Sequence, residues 1–159
     1  MPHTESSTPA TELVRFILDK IPLARAMQLE LSGWGEDFLS LYAPLAPNSN
    51  DKGCAFGGSL ASLMTLSGWA LVELTLRRRD LACDVFVAES TIRYQRPVWQ
   101  GFHSEARLAP GAGWSTFLDT LAARGKARVA IECVVPDTDG EPAASLATDY
   151  VAKLRPAAA

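Results

Sequence analysis

Histidine is nearly missing from this chain: His3 and His103 are the two present in 159 residues. Imidazole general-base chemistry is therefore hard to build, since one lies in a polar N-terminal stretch and the other in a later strand-like segment. Cysteine is sparse too. Cys54, Cys83 and Cys133 form an odd set without a Cys-x-x-Cys spacing, which argues against a disulfide framework, and no cluster of metal ligands stands out. The basic surplus that a nucleic-acid binder uses to neutralise phosphates is also lacking, with a formal net charge of −3 and a pI near 5.4. Nor does the N-terminus join a basic region to an apolar core as a secretory signal does. A reducing cytoplasm is the expected compartment.

Charge is absent from one long internal run: no Asp, Glu, Lys or Arg occurs between Gly53 and Val72. That run is close to the length of a membrane span. Gly57, Gly58, Ser59, Ser62, Thr65, Ser67 and Gly68 make it too polar for one, so a helix buried inside protein is expected, with no membrane partner.

What is present is material for one globular domain, 48% of it hydrophobic. Residues 1–10 are expected as a loose lead-in, 11–155 as the domain and 156–159 as a tail. Thr8 and Pro9 read as an N-cap and a first helical position, followed by Leu13, Phe16, Ile17 and Ile21 at helical spacing up to Pro22. Residues 28–32 and 38–44 read as strands around a hairpin turn at 33–36, with a loop to residue 50. A central helix is expected from about 57 to 79, then strands at 85–97, 102–109, 115–123, 126–135 and 145–154. This order implies an α+β fold, a curved antiparallel sheet wrapped around one long helix, with a short N-terminal helix added.

The segment Asn50-Asp51-Lys52-Gly53-Cys54-Ala55-Phe56-Gly57-Gly58-Ser59 delivers a polar, glycine-rich turn onto the start of that helix. Unpaired N–H groups and the positive end of a helix dipole there can hold a carbonyl oxygen or oxyanion. The order of elements resembles the hot-dog fold of acyl-thioester enzymes, many of which carry N-x-x-G-x-x-H-G-G ahead of the central helix. Asn50, Gly53, Phe56, Gly57 and Gly58 fall on that pattern with phenylalanine in place of histidine. Together with the stretch from Ala46 to Gly53, Thr65-Leu66-Ser67-Gly68-Trp69, Ser90-Thr91-Ile92-Arg93-Tyr94 and Arg96-Pro97, they resemble one branch, over roughly 26–154. That branch is the thioesterase-type domain found alone or behind an acetyltransferase domain, some members of which are malonyl-acyl-carrier-protein decarboxylases. The carboxylate that many hot-dog thioesterases place nine residues after the histidine position is here Thr65.

The resemblance implies a thioester of coenzyme A or of an acyl carrier protein as substrate, with the pantetheine group entering only as part of it and no separate cofactor. It also implies a homodimer or dimer of dimers with the acyl group between subunits. Loss of CO2 from a malonyl thioester needs no base, only a sink for the charge moving onto the thioester oxygen. Backbone N–H groups at Phe56 to Gly58 would supply that sink, and one such donor is typically worth about 3 kcal/mol. Asn50 would orient the carboxylate or thioester oxygen without titrating.

The expected catalytic set is Asn50, Gly57 and Thr65. Asn48, Phe56, Gly58, Ser59, Arg93 and Arg96 are expected to contact substrate. Plainer readings stay open: an Asx-type turn for Asn50, close packing for Gly57 and Gly58, and helix-to-sheet contact for Thr65 and Ser62. Hydrolysis, the alternative, needs a base, for which Glu89 and Asp51 are the reserves; Cys54 lacks a histidine to activate it. A non-catalytic acyl-binding dimer is the third reading. Arg77-Arg78-Arg79 closes the helix either to offset its dipole or to dock an acidic carrier or a phosphate.

Overall fold

The computed structural model describes residues 7–157; the ends of the expected lead-in and tail, 1–6 and 158–159, lie outside the described residues. Helix α1 (Pro9–Lys20) begins as its sequence predicts, with Thr8 Oγ1 accepting the Thr11 N–H at 3.1 Å and Pro9 in the first turn. Its Ala10 is already buried, so the domain starts inside the stretch read as lead-in. Pro22 does not end helical structure. It opens a second helix, α2 (Pro22–Met27), because proline costs no hydrogen bond at a first helical position. Arg25 then donates to the Leu18 and Asp19 carbonyls at 2.6 and 2.9 Å, satisfying the end of α1.

The rest of the chain runs β1 (Glu30–Trp34), β2 (Phe38–Ala43), α3 (Gly57–Arg77), β3 (Cys83–Tyr94), β4 (Phe102–Leu108), α4 (Trp114–Arg124), β5 (Lys126–Pro136) and β6 (Pro142–Leu154). The strands form one antiparallel six-stranded sheet in the order β1-β2-β4-β5-β6-β3. Residues 115–123, expected as a strand, are α4 instead. Phe117 and Leu121, four apart, bury one face, and Gly125 at φ 72° caps the end by donating to Leu121 O at 2.8 Å. The helical spacing of these two buried residues decides the element.

Alternation does govern β5 and β6. Val129, Ile131 and Cys133 of one, and Leu146, Thr148 and Tyr150 of the other, point inward and are buried. Against them lies α3, with Leu60, Leu63, Met64, Leu71 and Leu74 buried. This helix is long and apolar enough to cross a membrane, but 67% of its most apolar stretch is buried within the fold.

Polar groups tie helix to sheet. Cys133 Sγ donates to Met64 O at 3.2 Å, and the Tyr150 hydroxyl to Thr65 O at 2.6 Å. A side chain at Gly68 would collide with the Tyr150 hydroxyl, so the bare helix surface there admits β6. Burial pushes the Cys133 thiol up to about 12 and raises Tyr150 as well.

The three arginines closing α3 are occupied inside the fold. Arg77 bonds the buried Glu73 at 2.9 Å and lies 4.5 Å over the Phe16 ring. Arg78 stacks 5.8 Å over Trp34, and Arg79 donates to Thr75 O at 2.9 Å.

Candidate active site at the start of the central helix

The loop into α3 is held by its own polar groups. Asn48, only 1% exposed, donates through Nδ2 to Met27 O at 2.9 Å and Pro44 O at 2.8 Å, pinning the loop to the end of α2. Its Oδ1 is buried without a partner among the described residues, and its backbone carbonyl accepts the Phe56 N–H at 2.7 Å. Asn50 closes the turn between. Its Oδ1 accepts the N–H groups of Lys52 at 2.9 Å and Cys54 at 3.2 Å, while Nδ2 donates to Cys54 Sγ at 3.2 Å. Gly53 completes that turn at φ 85°, a conformation side chains resist.

Phe56 is the N-cap, extended and without a side-chain cap bond. Because its own N–H is spent on Asn48, the open donors at the helix start are shifted one residue along from the expected set. They are the N–H groups of Gly57, Gly58 and Ser59, which have no partner among the described residues; Leu60 makes the first intrahelical bond, to Phe56 O at 3.0 Å. The exposed Phe56 ring covers Gly58, where a Cβ would strike it. Gly57 faces Tyr94, whose hydroxyl donates to Gly57 O at 3.3 Å.

Beside Gly57 opens a cavity of about 320 Å³, lined by Ala55, Gly57, Leu60, Tyr94, Gln95, Arg96 and Pro97. None of these described lining residues carries a carboxylate or an imidazole. Arg96 is bonded through one guanidinium nitrogen to Asp137 at 2.6 Å. Asp137 in turn accepts the N–H groups of Asp139 and Glu141 at 2.9 and 3.0 Å. Partial burial pushes the Asp137 carboxyl up, but those two N–H groups and Arg96 together hold it below the usual carboxylate range.

The remaining expected residues are spread out. Ser59 is half-buried in the first turn of α3. Thr65 is half-buried, about 12 Å along the axis from Gly57, and does not line the cavity. Arg93 is exposed opposite Ser145, on the sheet face away from α3.

Neither reserve base reaches the cavity wall. Glu89 is exposed on the outer face, 3.4 Å from Arg128 and beside Asp149. Asp51 is exposed and pairs with Lys52 at 3.0 Å. Cys54 is buried next to Asn50, and His103 is exposed on β4 opposite Tyr42. Sequence reading did not place Tyr94 and Leu60 at this cavity or Asp137 beside Arg96. An aromatic ending a strand three residues before Pro97 was the available signal for Tyr94, while nothing local marked Asp137, which the β5–β6 turn brings over.

Residues 10–154 match the family described as "Putative thioesterase (yiiD_Cterm)". The chain belongs to this family. Among solved structures it is similar to a protein of unknown function from Chlorobaculum tepidum TLS, at 28% identity and TM-score 0.86, over 94% of this chain and 99% of that one. It is similar at 30% identity and TM-score 0.81 to a "putative thioesterase" from Shewanella oneidensis, over 92% and 98% of the two chains. A Pseudomonas aeruginosa protein described as a "Probable Thioesterase" follows at 29% identity and TM-score 0.76, over 91% and 96%. A Haemophilus influenzae thioesterase at 14% identity and TM-score 0.71 shares the fold, over 94% and 93%. The family's architecture is therefore the hot-dog fold that the motif order resembles.

Proposed function

We propose that this family member acts on an acyl thioester by decarboxylation, converting a malonyl thioester of coenzyme A or an acyl carrier protein into the acetyl thioester. The observation that carries this reading is the cavity at the start of α3, which offers open N–H donors and, among the described residues lining it, no carboxylate or imidazole to serve as a base. The thioester oxygen sits toward the Gly57, Gly58 and Ser59 N–H groups as electrons from the breaking C–CO2 bond move onto it, and CO2 leaves. Proton return to the carbon comes from solvent. Asn50 keeps one amide hydrogen beyond its turn bonds, and that hydrogen orients the substrate; Thr65 lines the acyl path further along the helix. Asn48 acts by holding the loop rather than by touching substrate. Phe56, with its ring over Gly58, shields the reacting carboxylate from water.

The paired site needs a second copy of the chain. β3 is an edge strand whose Phe86, 62% exposed, and Val87, 49% exposed, lie on opposite faces; it meets α3 where Trp69 Nε1 donates to Val85 O at 3.0 Å, and Ser62, Thr65, Leu66 and Trp69 of that helix are half-buried. A two-fold partner on this edge would cover both and close the acyl path over Thr65.

The alternative is thioester hydrolysis, favoured by the thioesterase descriptions of the family and its relatives. Incubation with malonyl-coenzyme A and malonyl-carrier protein, following acetyl thioester, free thiol and CO2 separately, decides between them. Acetyl thioester without free thiol is expected. Free thiol with malonate intact would establish hydrolysis, and saturable binding without either product would establish the acyl-binding reading.

A further inference from the structure

Arg96 is held more firmly than an exposed arginine ordinarily is. Its backbone N–H and that of Gln95 both donate to Ala143 O, at 3.1 and 2.8 Å, fixing the residue against the start of β6. Its side chain meets a carboxylate that is itself immobilised, since two N–H groups of the β5–β6 turn, those of Asp139 and Glu141, converge on Asp137 Oδ1 while Oδ2 takes the guanidinium. Gly140 makes that turn possible at φ 82°. Arg96 so held is one of the residues lining the cavity. Arg93, three residues earlier, has no such anchor among the described residues and projects from the other face.

We propose that Asp137 is a positioning residue, fixing Arg96 so that its remaining donors recognise an anionic oxygen group of the substrate. The inference rests on the thioester reading above and adds to it a binding determinant supplied by the β5–β6 turn. One donor nitrogen is committed to Asp137; the planar fork leaves others to face the cavity. Two parts of the substrate offer the required chemistry, the carboxylate of the acyl group and the phosphate of the pantetheine arm.

Calorimetric binding to the intact protein separates them with four stable probes. Pantetheine and 4′-phosphopantetheine differ only in the phosphate. The malonyl and acetyl amides of amino-pantetheine, with nitrogen replacing the thioester sulfur, differ only in the carboxylate. Wild type is expected to prefer the anionic member of one pair by about tenfold or more, the range for a charged hydrogen bond. Arg96→Gln and Asp137→Asn should both bring that ratio close to one while leaving the neutral probe's affinity unchanged, an outcome a merely structural role would not produce. The amide oxygen that Asp137→Asn introduces still accepts the turn N–H groups, so the hairpin persists. Whichever ratio collapses names the source of the anion.

Ratios near one in wild type, ratios that survive both substitutions, or no measurable binding of either anionic probe would overturn the assignment. Turnover is read apart from this. Anion preference without acetyl product would sink the decarboxylase reading and leave Arg96 and Asp137 in place.

Discussion

Asn48 and Asn50 stand two apart in one loop and are held in opposite ways. Asn48 is sealed, with both amide hydrogens on carbonyls, so Asn48→Ala leaves the Met27 and Pro44 oxygens unanswered. We expect a loss of about 1–3 kcal/mol in urea unfolding, and a larger one for Asn48→Asp, which sets an anion against those oxygens. Asn50 is partly open, so Asn50→Ala should abolish most malonyl turnover while unfolding and oligomeric state stay close to wild type. Retained turnover would remove Asn50 from the mechanism.

The buried acids make a separate prediction. Unfolded, Cys133 and Tyr150 release their protons near 9.0 and 10.0; folded, both stay protonated beyond those values. Stability is therefore full below about pH 9 and falls as pH rises toward 12. Denaturation across pH 7–11 should show the decline, with Tyr150→Phe removing the part that begins above pH 10. Turnover, by contrast, should be flat between about pH 6 and 8, because none of the described residues lining the cavity is a carboxylate or an imidazole.

Among the elements, α4 is where pattern reading failed and where it is easily checked. Its Ser, Thr and Phe content imitates a strand, and only the recurrence of Phe117 and Leu121 on one side marks a helix. Phe117→Ala should cost about 3–5 kcal/mol, the range for emptying a packed aromatic site. By comparison α1, α3, β5 and β6 were legible because capping residues, an uncharged run and strict alternation each act within a few residues. What escaped the sequence was made by distant contacts. Asp137 reaches Arg96 from 41 positions away, and Phe56 loses its N–H to a carbonyl across a turn. The motif located the helix start correctly, yet which N–H groups remain open depended on a bond that no local pattern announces.

In the molecule as a whole, the sheet ends on two edge strands, β1 and β3. β3 has β6 along one edge only, and its exposed Phe86 and Val87 add apolar surface to the unpaired backbone. If that edge pairs with its own copy, Val87→Lys should shift sedimentation from dimer to monomer at micromolar concentration without unfolding the chain. Persistence of the dimer would place the interface elsewhere.

The contact of Gly68 with Tyr150 reaches beyond this one chain. A phenol seated where a helix lacks a side chain makes the two positions interdependent through evolution. Relatives that keep tyrosine on the strand should keep glycine on the helix, and those that gain alanine there should have surrendered the hydroxyl, a covariation that an alignment of homologues would expose.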